Sequence, residues 1–284
     1  MFELILENKL GDQINFASNS AFTVTLIEGL NPPEATINLS DIALMDGAKF
    51  NSSKLNVRYI NIAFAIEVNA AKNRIEVYKV LKSKQYVKMT YNGDYRNVYI
   101  EGYIESINID YFEMKQIVTC SIVCPSPFFK DAQMMVNELK NVINAFHFPF
   151  ASEETPELVM SYINNETGIN LENDGDINCG MIIEMYAIKA VSDPKIFNYV
   201  TQEYIGLDFD MEPGDLITID TRPGQKTATL LRGGVETNIF NYIIQGSTWL
   251  QLSSNGGTFV YEVGTGQDED LDIIFKHENL YEGV

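Results

Sequence analysis

The sequence predicts a mostly β protein of two domains, the first with one helix covering a sheet and the second a sandwich or jelly roll. Three observations carry this. Along Arg58–Val68 the side chains of Ile60, Ile62, Phe64, Ile66 and Val68 alternate with small or polar ones, the period of a half-buried strand. Gly, Asn, Asp and Pro punctuate the chain at short intervals, as hairpins require. The length is 284 residues, where one domain typically takes about 150.

In the first half, strands are expected at Arg58–Val68, Tyr86–Tyr91, Val98–Ile109 and Gln116–Cys124. The opposite face of the first of these carries Tyr59, Asn61, Ala63, Ala65 and Glu67, free for solvent or a partner. Tyr91-Asn92-Gly93-Asp94 reads as a turn, Asn-Gly supplying positive φ angles. One helix is expected after Val68. Asn73 would cap it with Glu76 three residues on, and Ile75, Tyr78 and Leu81, flanked by Val77, would form its apolar stripe. A single helix among strands covers a sheet rather than building parallel βαβ units.

Pro125-Ser126-Pro127 ends that run. Beyond it Met135, Leu139, Val142, Ile143 and Phe146 fall at helical spacing, which predicts a linker helix over about 131–146. Phe148-Pro149-Phe150 and the polar Ser152–Pro156 stretch then mark a domain break, giving domains 1–147 and 148–284. Strands in the second domain are expected at Met181–Ile188, Leu216–Thr221, Thr258–Val263 and around Leu271, Ile273 and Phe275. Arg232-Gly233-Gly234-Val235 reads as a two-residue hairpin.

Charge sharpens the division. Acidic residues outnumber basic ones 39 to 20, a net charge of −19. Residues 1–150 hold 16 acidic and 14 basic side chains, whereas residues 151–284 hold 23 and six. So acidic a chain repels phosphate backbones, which argues against sequence-specific nucleic-acid binding. The longest apolar run, Ile62–Ile66, falls far below the ~20 residues of a membrane span. Met1–Glu7 places acid where a secretory signal needs positive charge. Cys120 and Cys124 lie about 13 Å apart on one strand, too far to bond, and with Cys179 read as buried apolar groups.

Patterns for catalysis are each incomplete. Gly264-Thr265-Gly266 lacks the third glycine of a dinucleotide fingerprint, and Gly224-Gln225-Lys226-Thr227 lacks the leading glycine of a phosphate loop. Asp268, Asp270 and Asp272 share calcium-loop spacing, yet Ile273 and Asn279 stand where glycine and a bidentate glutamate belong. Two histidines, His147 and His277, leave little for a triad or a zinc site. Trp249 is expected in the core, because Leu250 and Leu252 continue its apolar pattern. The expectation is a protein with no cofactor, no metal and no enzymatic activity.

Order and spacing add a resemblance. Gly29-Leu30-Asn31-Pro32-Pro33, Asp46-Gly47, Arg58-Tyr59-Ile60, Arg74, Tyr95-Arg96 and Ile100–Ser106 are followed by Phe112-Glu113-Met114-Lys115. Then come Cys124-Pro125-Ser126-Pro127-Phe128-Phe129 and Phe146–Phe150. The second half adds Asn173–Asp176, Pro213–Thr221 and Tyr281-Glu282-Gly283-Val284. Nearly the whole chain thus resembles the distal tail protein (Dit) family of long-tailed phages that infect Gram-positive bacteria.

The resemblance implies a structural hub at the virion tail tip, assembled in the bacterial cytoplasm. Its members form a homo-hexameric ring that joins the tail tube to the tip. Implied partners are the tail tube protein, the tape-measure end, a tail-associated lysin or fibre protein and a receptor-binding protein. Two β-sandwich domains are implied, an N-terminal sandwich with one covering helix and a C-terminal galectin-like sandwich. However, galectin-type sugar sites use a His-Asn-Arg set with tryptophan, and only His277 is present, so no lactose affinity is expected. A ring subunit needs an arm to clasp its neighbour. The mixed stretch 36–55 fits this, with Ile42, Leu44, Met45, Asp46 and Phe50 as the candidate intersubunit belt. The rival reading is a carbohydrate-binding adhesin; a metal-dependent hydrolase built on the acidic clusters is a weaker third.

Overall fold

The computed structural model describes residues 2–16, 21–43, 46–113, 115–139, 142–144, 161–163, 168–266 and 270–284. The chain forms two compact units, one of Met1–Ala132 with Leu280–Val284, the other of Gln133–Asn279. The chain therefore leaves the first unit after Ala132 and re-enters it at Leu280, whereas sequence cues put a single break at 147/148. The Phe148-Pro149-Phe150 cue lies outside the described residues.

The first unit is an antiparallel sheet with one helix. Its strands are β1 (Glu3–Asn8), β2 (Gln13–Asn15), β3 (Phe22–Glu28), β4 (Ala35–Asp41), β5 (Ala48–Leu55), β6 (Arg58–Ile66), β7 (Tyr86–Asn92), β8 (Asn97–Ile109), β9 (Gln116–Cys124) and β10 (Phe129–Asp131). The sheet order is β2-β1-β7-β8-β9-β6-β3, with β10 on β8. Period-two patterning places it, because Ile60, Ile62 and Phe64 are buried on one face together with Val118, Cys120 and Ile122 of β9. Tyr59, Asn61 and Ala63 take the other face, as the alternation predicts.

Helix α1 (Ala70–Val80) covers the sheet, but its register differs from the one read off the sequence. Its N-cap is Asn69, held left-handed at φ 47°, and Asn73 sits one turn inside, its side chain donating to the Val68 carbonyl at 2.5 Å. The buried face is Val77, Val80 and Leu81, while Ile75 is exposed and the Tyr78 hydroxyl meets that of Tyr111. The β7–β8 turn also differs. Gly93 is not left-handed; four residues, closed by a hydrogen bond from Gly93 N to Arg96 O, replace the tight Asn-Gly pair.

The predicted helix over 131–146 is not formed. Met135–Leu139 is a strand paired along Leu271–His277, and Val142–Asn144 is another strand paired with Ser161–Ile163. Its i, i+4 apolar spacing fitted a helix. An open sheet edge offers the backbone the same hydrogen bonds, and β-branched Val136, Val142 and Ile143 favour the extended choice.

The second unit is a sandwich. One sheet runs Met135–Leu139, Leu271–His277, Cys179–Ala187, Leu216–Asp220, Thr227–Arg232 and Val235–Asn238, all antiparallel. The other runs Gly168–Leu171, Gly257–Glu262, Lys195–Asn198 and Tyr204–Gly206. Phe259 from one and Phe275 from the other are fully buried with ring centroids 5.7 Å apart, which joins the layers. Arg232-Gly233-Gly234-Val235 is the expected hairpin, both glycines left-handed at φ 58° and 81°. Trp249 departs from expectation: Leu250 and Leu252 are buried, whereas Trp249 is half-exposed against Phe240 at 5.6 Å. All three cysteines are free and buried, and burial pushes each thiol up to about 12.

Candidate assembly interface

Strands β4 and β5 pair with each other as a separate two-stranded sheet. Their register sorts side chains onto two faces. Thr36, Asn38 and Ser40 oppose Lys54, Ser52 and Lys49 on the polar one. Asn38 Nδ2 donates to Ser52 Oγ at 2.9 Å, Asn51 Nδ2 to Ser40 Oγ at 2.5 Å, and the Thr36 hydroxyl to Asn56 Oδ1 at 2.8 Å. The other face carries Ile37 and Leu39, with Phe50 and Leu55 from β5, Leu39 directly opposite Phe50. Ile37, Leu39 and Phe50 remain 58%, 59% and 59% exposed. A lone two-stranded ribbon is marginal in water, and four large apolar side chains on one bare face is a costly surface.

Of the predicted belt residues, Phe50 lies on this apolar face. Ile42, 43% exposed, follows Asp41 just past the strand end, and Asp46 is exposed ahead of β5. Leu44 and Met45 lie outside the described residues. The structure adds Ile37, Leu39 and Leu55. Their signal was legible as the alternation Ile37-Asn38-Leu39-Ser40, a strand pattern inside a stretch read as an arm.

Several charged groups elsewhere pair with one another. In the second unit, Lys189 pairs with Asp270 at 2.6 Å, Arg222 with Asp220 at 2.7 Å and Lys276 with Glu184 at 2.5 Å. Arg232 pairs with Asp215 at 2.5 Å and Glu212 at 3.1 Å. Residues 151–284 hold only six cations and four of them are in these pairs, so the remaining acids set the character of that surface. In the first unit a groove of about 590 Å³ is lined by Glu7, Lys9, Lys84, Tyr86, Lys88 and Glu101, among others. The Glu101 carboxylate accepts from the Tyr86 hydroxyl at 2.8 Å and from Lys130 Nζ at 2.5 Å, and burial together with that carboxylate raises the Tyr86 hydroxyl.

Among the described residues no group of three or more His, Cys, Asp or Glu side chains could hold a metal ion. Asp268 and Glu269 lie outside them, and Asp270 is held by Lys189. Nor is any described helix long and apolar enough to cross a membrane. His277 is buried, and its Nε2 lies 3.0 Å from the Glu172 carbonyl oxygen.

Fold and surface together define a two-unit antiparallel β protein with an exposed apolar face on a two-stranded ribbon. Residues 174–278 match the family model of the siphovirus-type tail component, C-terminal domain. Over the whole chain the fold is shared with solved phage tail structures. The crystal structure of SPP1 Dit (gp 19.1), described as a paradigm of the hub adsorption apparatus in phages infecting Gram-positive bacteria, matches with a TM-score of 0.67 and 12% identity. The match covers 97% of this chain and 98% of that one. Chains of the phage P2 baseplate in its activated conformation, with calcium and with strontium, match at TM-scores of 0.53 and 0.54. Both are 11% identical and cover all of each chain. No curated protein matches the sequence.

Proposed function

We propose that this chain is a structural hub subunit of a long-tailed phage, working in the tail tip or baseplate through protein–protein interfaces. Six copies form a ring between the tail tube and the tip. The first unit builds the ring, and the ribbon Ala35–Leu55 clasps the neighbouring copy with Ile42, Phe50 and the apolar face beside them. The acidic second unit, a galectin-like sandwich, docks a fibre, tail-associated lysin or receptor-binding protein. Tail tube and tape-measure end meet the ring.

The observation that carries this reading is the ribbon's bare apolar face, whose polar side is internally hydrogen-bonded. Whole-chain similarity of fold to a tail hub protein supports it. Light scattering tests it: the expected mass is six times the 32.0 kDa chain. An Asp46→Ala/Phe50→Ala variant that still assembles a normal ring would sink the belt. Docking to a basic partner should weaken at high ionic strength.

One observation favours the adhesin reading, the half-exposed Trp249–Phe240 pair, a surface on which a sugar ring could stack. A monomer with signal on a glycan array would support it over the hub. The buried His277, its Nε2 held by a backbone carbonyl, supports the expectation that lactose does not bind.

A further inference from the structure

Arg58 opens β6, yet it is only 3% exposed. Its N–H groups donate to four main-chain carbonyls: Nε to Pro127 at 2.6 Å, Nη1 to Gly29 at 2.5 Å and Asn31 at 2.6 Å, and Nη2 to Glu282 at 2.6 Å. The guanidinium lies 4.6 Å over the Phe129 ring. Beside it Arg96 Nη1 donates to the Gly283 carbonyl at 2.5 Å and stacks 4.4 Å over Tyr281. Phe129 and Lys130 pair in register with Tyr281 and Leu280, and the Val284 amide donates to Leu30 at 3.2 Å. Segments near residues 30, 58, 96, 128 and 282 therefore meet around two arginines.

These contacts depend on geometry that arginine alone provides. A buried cation is costly unless its donors are met, and only the flat five-donor fork can serve four separate carbonyls at once. Backbone carbonyls, not side chains, are the groups recognised, so the site reads the path of the returning chain. Its other members lie within the first 132 residues, whereas Arg58 and Glu282 are 224 positions apart. All of the second unit is made between them.

We infer that Leu280–Val284 is the closing strand of the first unit and Arg58 its receptor, so that this unit becomes competent for assembly only in chains built through the second. Until the segment arrives, Phe129 lacks its strand partner, Arg58 lacks one of its four acceptors, and both face water. A chain truncated within or before the second unit would thus carry a loosened first unit, which keeps incomplete subunits out of the oligomer. The assembly part rests on the proposed hub reading; the loosening does not.

Two variants of the otherwise intact chain test it. One lacks residues 280–284, and the other is Arg58→Lys, which keeps the charge but cannot span the carbonyls. Hydrogen exchange is read at Ile60, Ile62 and Phe129–Asp131, and Trp249 emission reports the second unit. Both variants should speed exchange at least tenfold at those amides, leave Trp249 emission unchanged and shift the oligomer to monomer. Exchange within twofold of the parent in either variant overturns the inference, as does an unfolded Trp249 signal, which would make the segment a support of the entire chain. If the parent itself proves monomeric, the hub reading fails while the exchange comparison still decides the latch.

Discussion

A Cβ on Gly29 would sit 2.1 Å from the carbonyl oxygen of Tyr59. Gly29 is also left-handed at φ 89°, and its own carbonyl accepts from Arg58. Two independent requirements, a conformation and a close approach, therefore fall on one residue. Gly29→Ala should destabilise the first unit by at least about 2 kcal/mol, from the left-handed backbone and the forced shift of β6. Thermal unfolding of the first unit should show it, with Trp249 emission as the internal control.

That glycine illustrates what the sequence could and could not tell. Gly29–Pro33, Arg58, Phe128-Phe129 and Tyr281–Val284 were each legible as family landmarks, yet nothing in their spacing says that they meet. Strand positions such as Ile60, Ile62 and Phe64 were readable because burial follows a period of two. The linker helix failed because i, i+4 spacing cannot sense a strand whose paired residues lie 134 to 142 positions away. On the ribbon, composition singled out Phe50, whereas Ile37 and Leu39 needed the register to reveal that they share its face. Trp249 was assigned to the core by its apolar neighbours, but alternation could not show which side of its short segment faced in.

His277 gives the second unit a pH dependence of predictable sign. Nε2 faces a carbonyl oxygen, which only accepts, so Nε2 carries the proton and Nδ1 is the bare nitrogen, buried without a partner among the described residues. Burial lowers its affinity for a second proton, a pull that the Glu172 carbonyl and Asp174 only partly oppose. The unfolded chain then binds more protons than the folded one as pH falls below about 6.5, so stability is lost on acidification through that window. The midpoint of Trp249-detected unfolding should drop between pH 7 and pH 5. His277→Gln, which keeps a donor for Glu172, should flatten that slope, and an unchanged slope would assign it to other groups.

Asp215 offers a second handle on the same unit. Its side chain is buried and accepts from the Glu212 amide at 2.7 Å and from Arg232 Nε at 2.8 Å. The Arg232 hydrogen bonds hold its carboxyl below the usual range, against the opposing effect of burial. A depressed carboxylate contributes stability above its unfolded pKa of about 3.9, and that contribution disappears as pH falls through the folded value. At pH 7, Asp215→Ala should cost about 2 kcal/mol, because it strands charge-assisted donors on both partners. Denaturant titration measures this, and the gap between variant and parent should close towards pH 3.

The ribbon separates folding from assembly most cleanly. Ile37, Leu39 and Phe50 project from a two-stranded sheet into water, so the monomer gains little from them, and exposed substitutions typically move stability by no more than about 0.5 kcal/mol. Covering them in an oligomer would contribute about 1.5–3 kcal/mol for each side chain. Ile37→Ser/Leu39→Ser should therefore leave the unfolding midpoint of the monomer almost unmoved while lowering the oligomer fraction at a fixed concentration by orders of magnitude. Thr36→Ser, on the hydrogen-bonded polar face, serves as the control and should assemble normally. Sedimentation of all three chains at matched concentration decides it, because a ribbon that only decorates the surface would leave the three distributions alike.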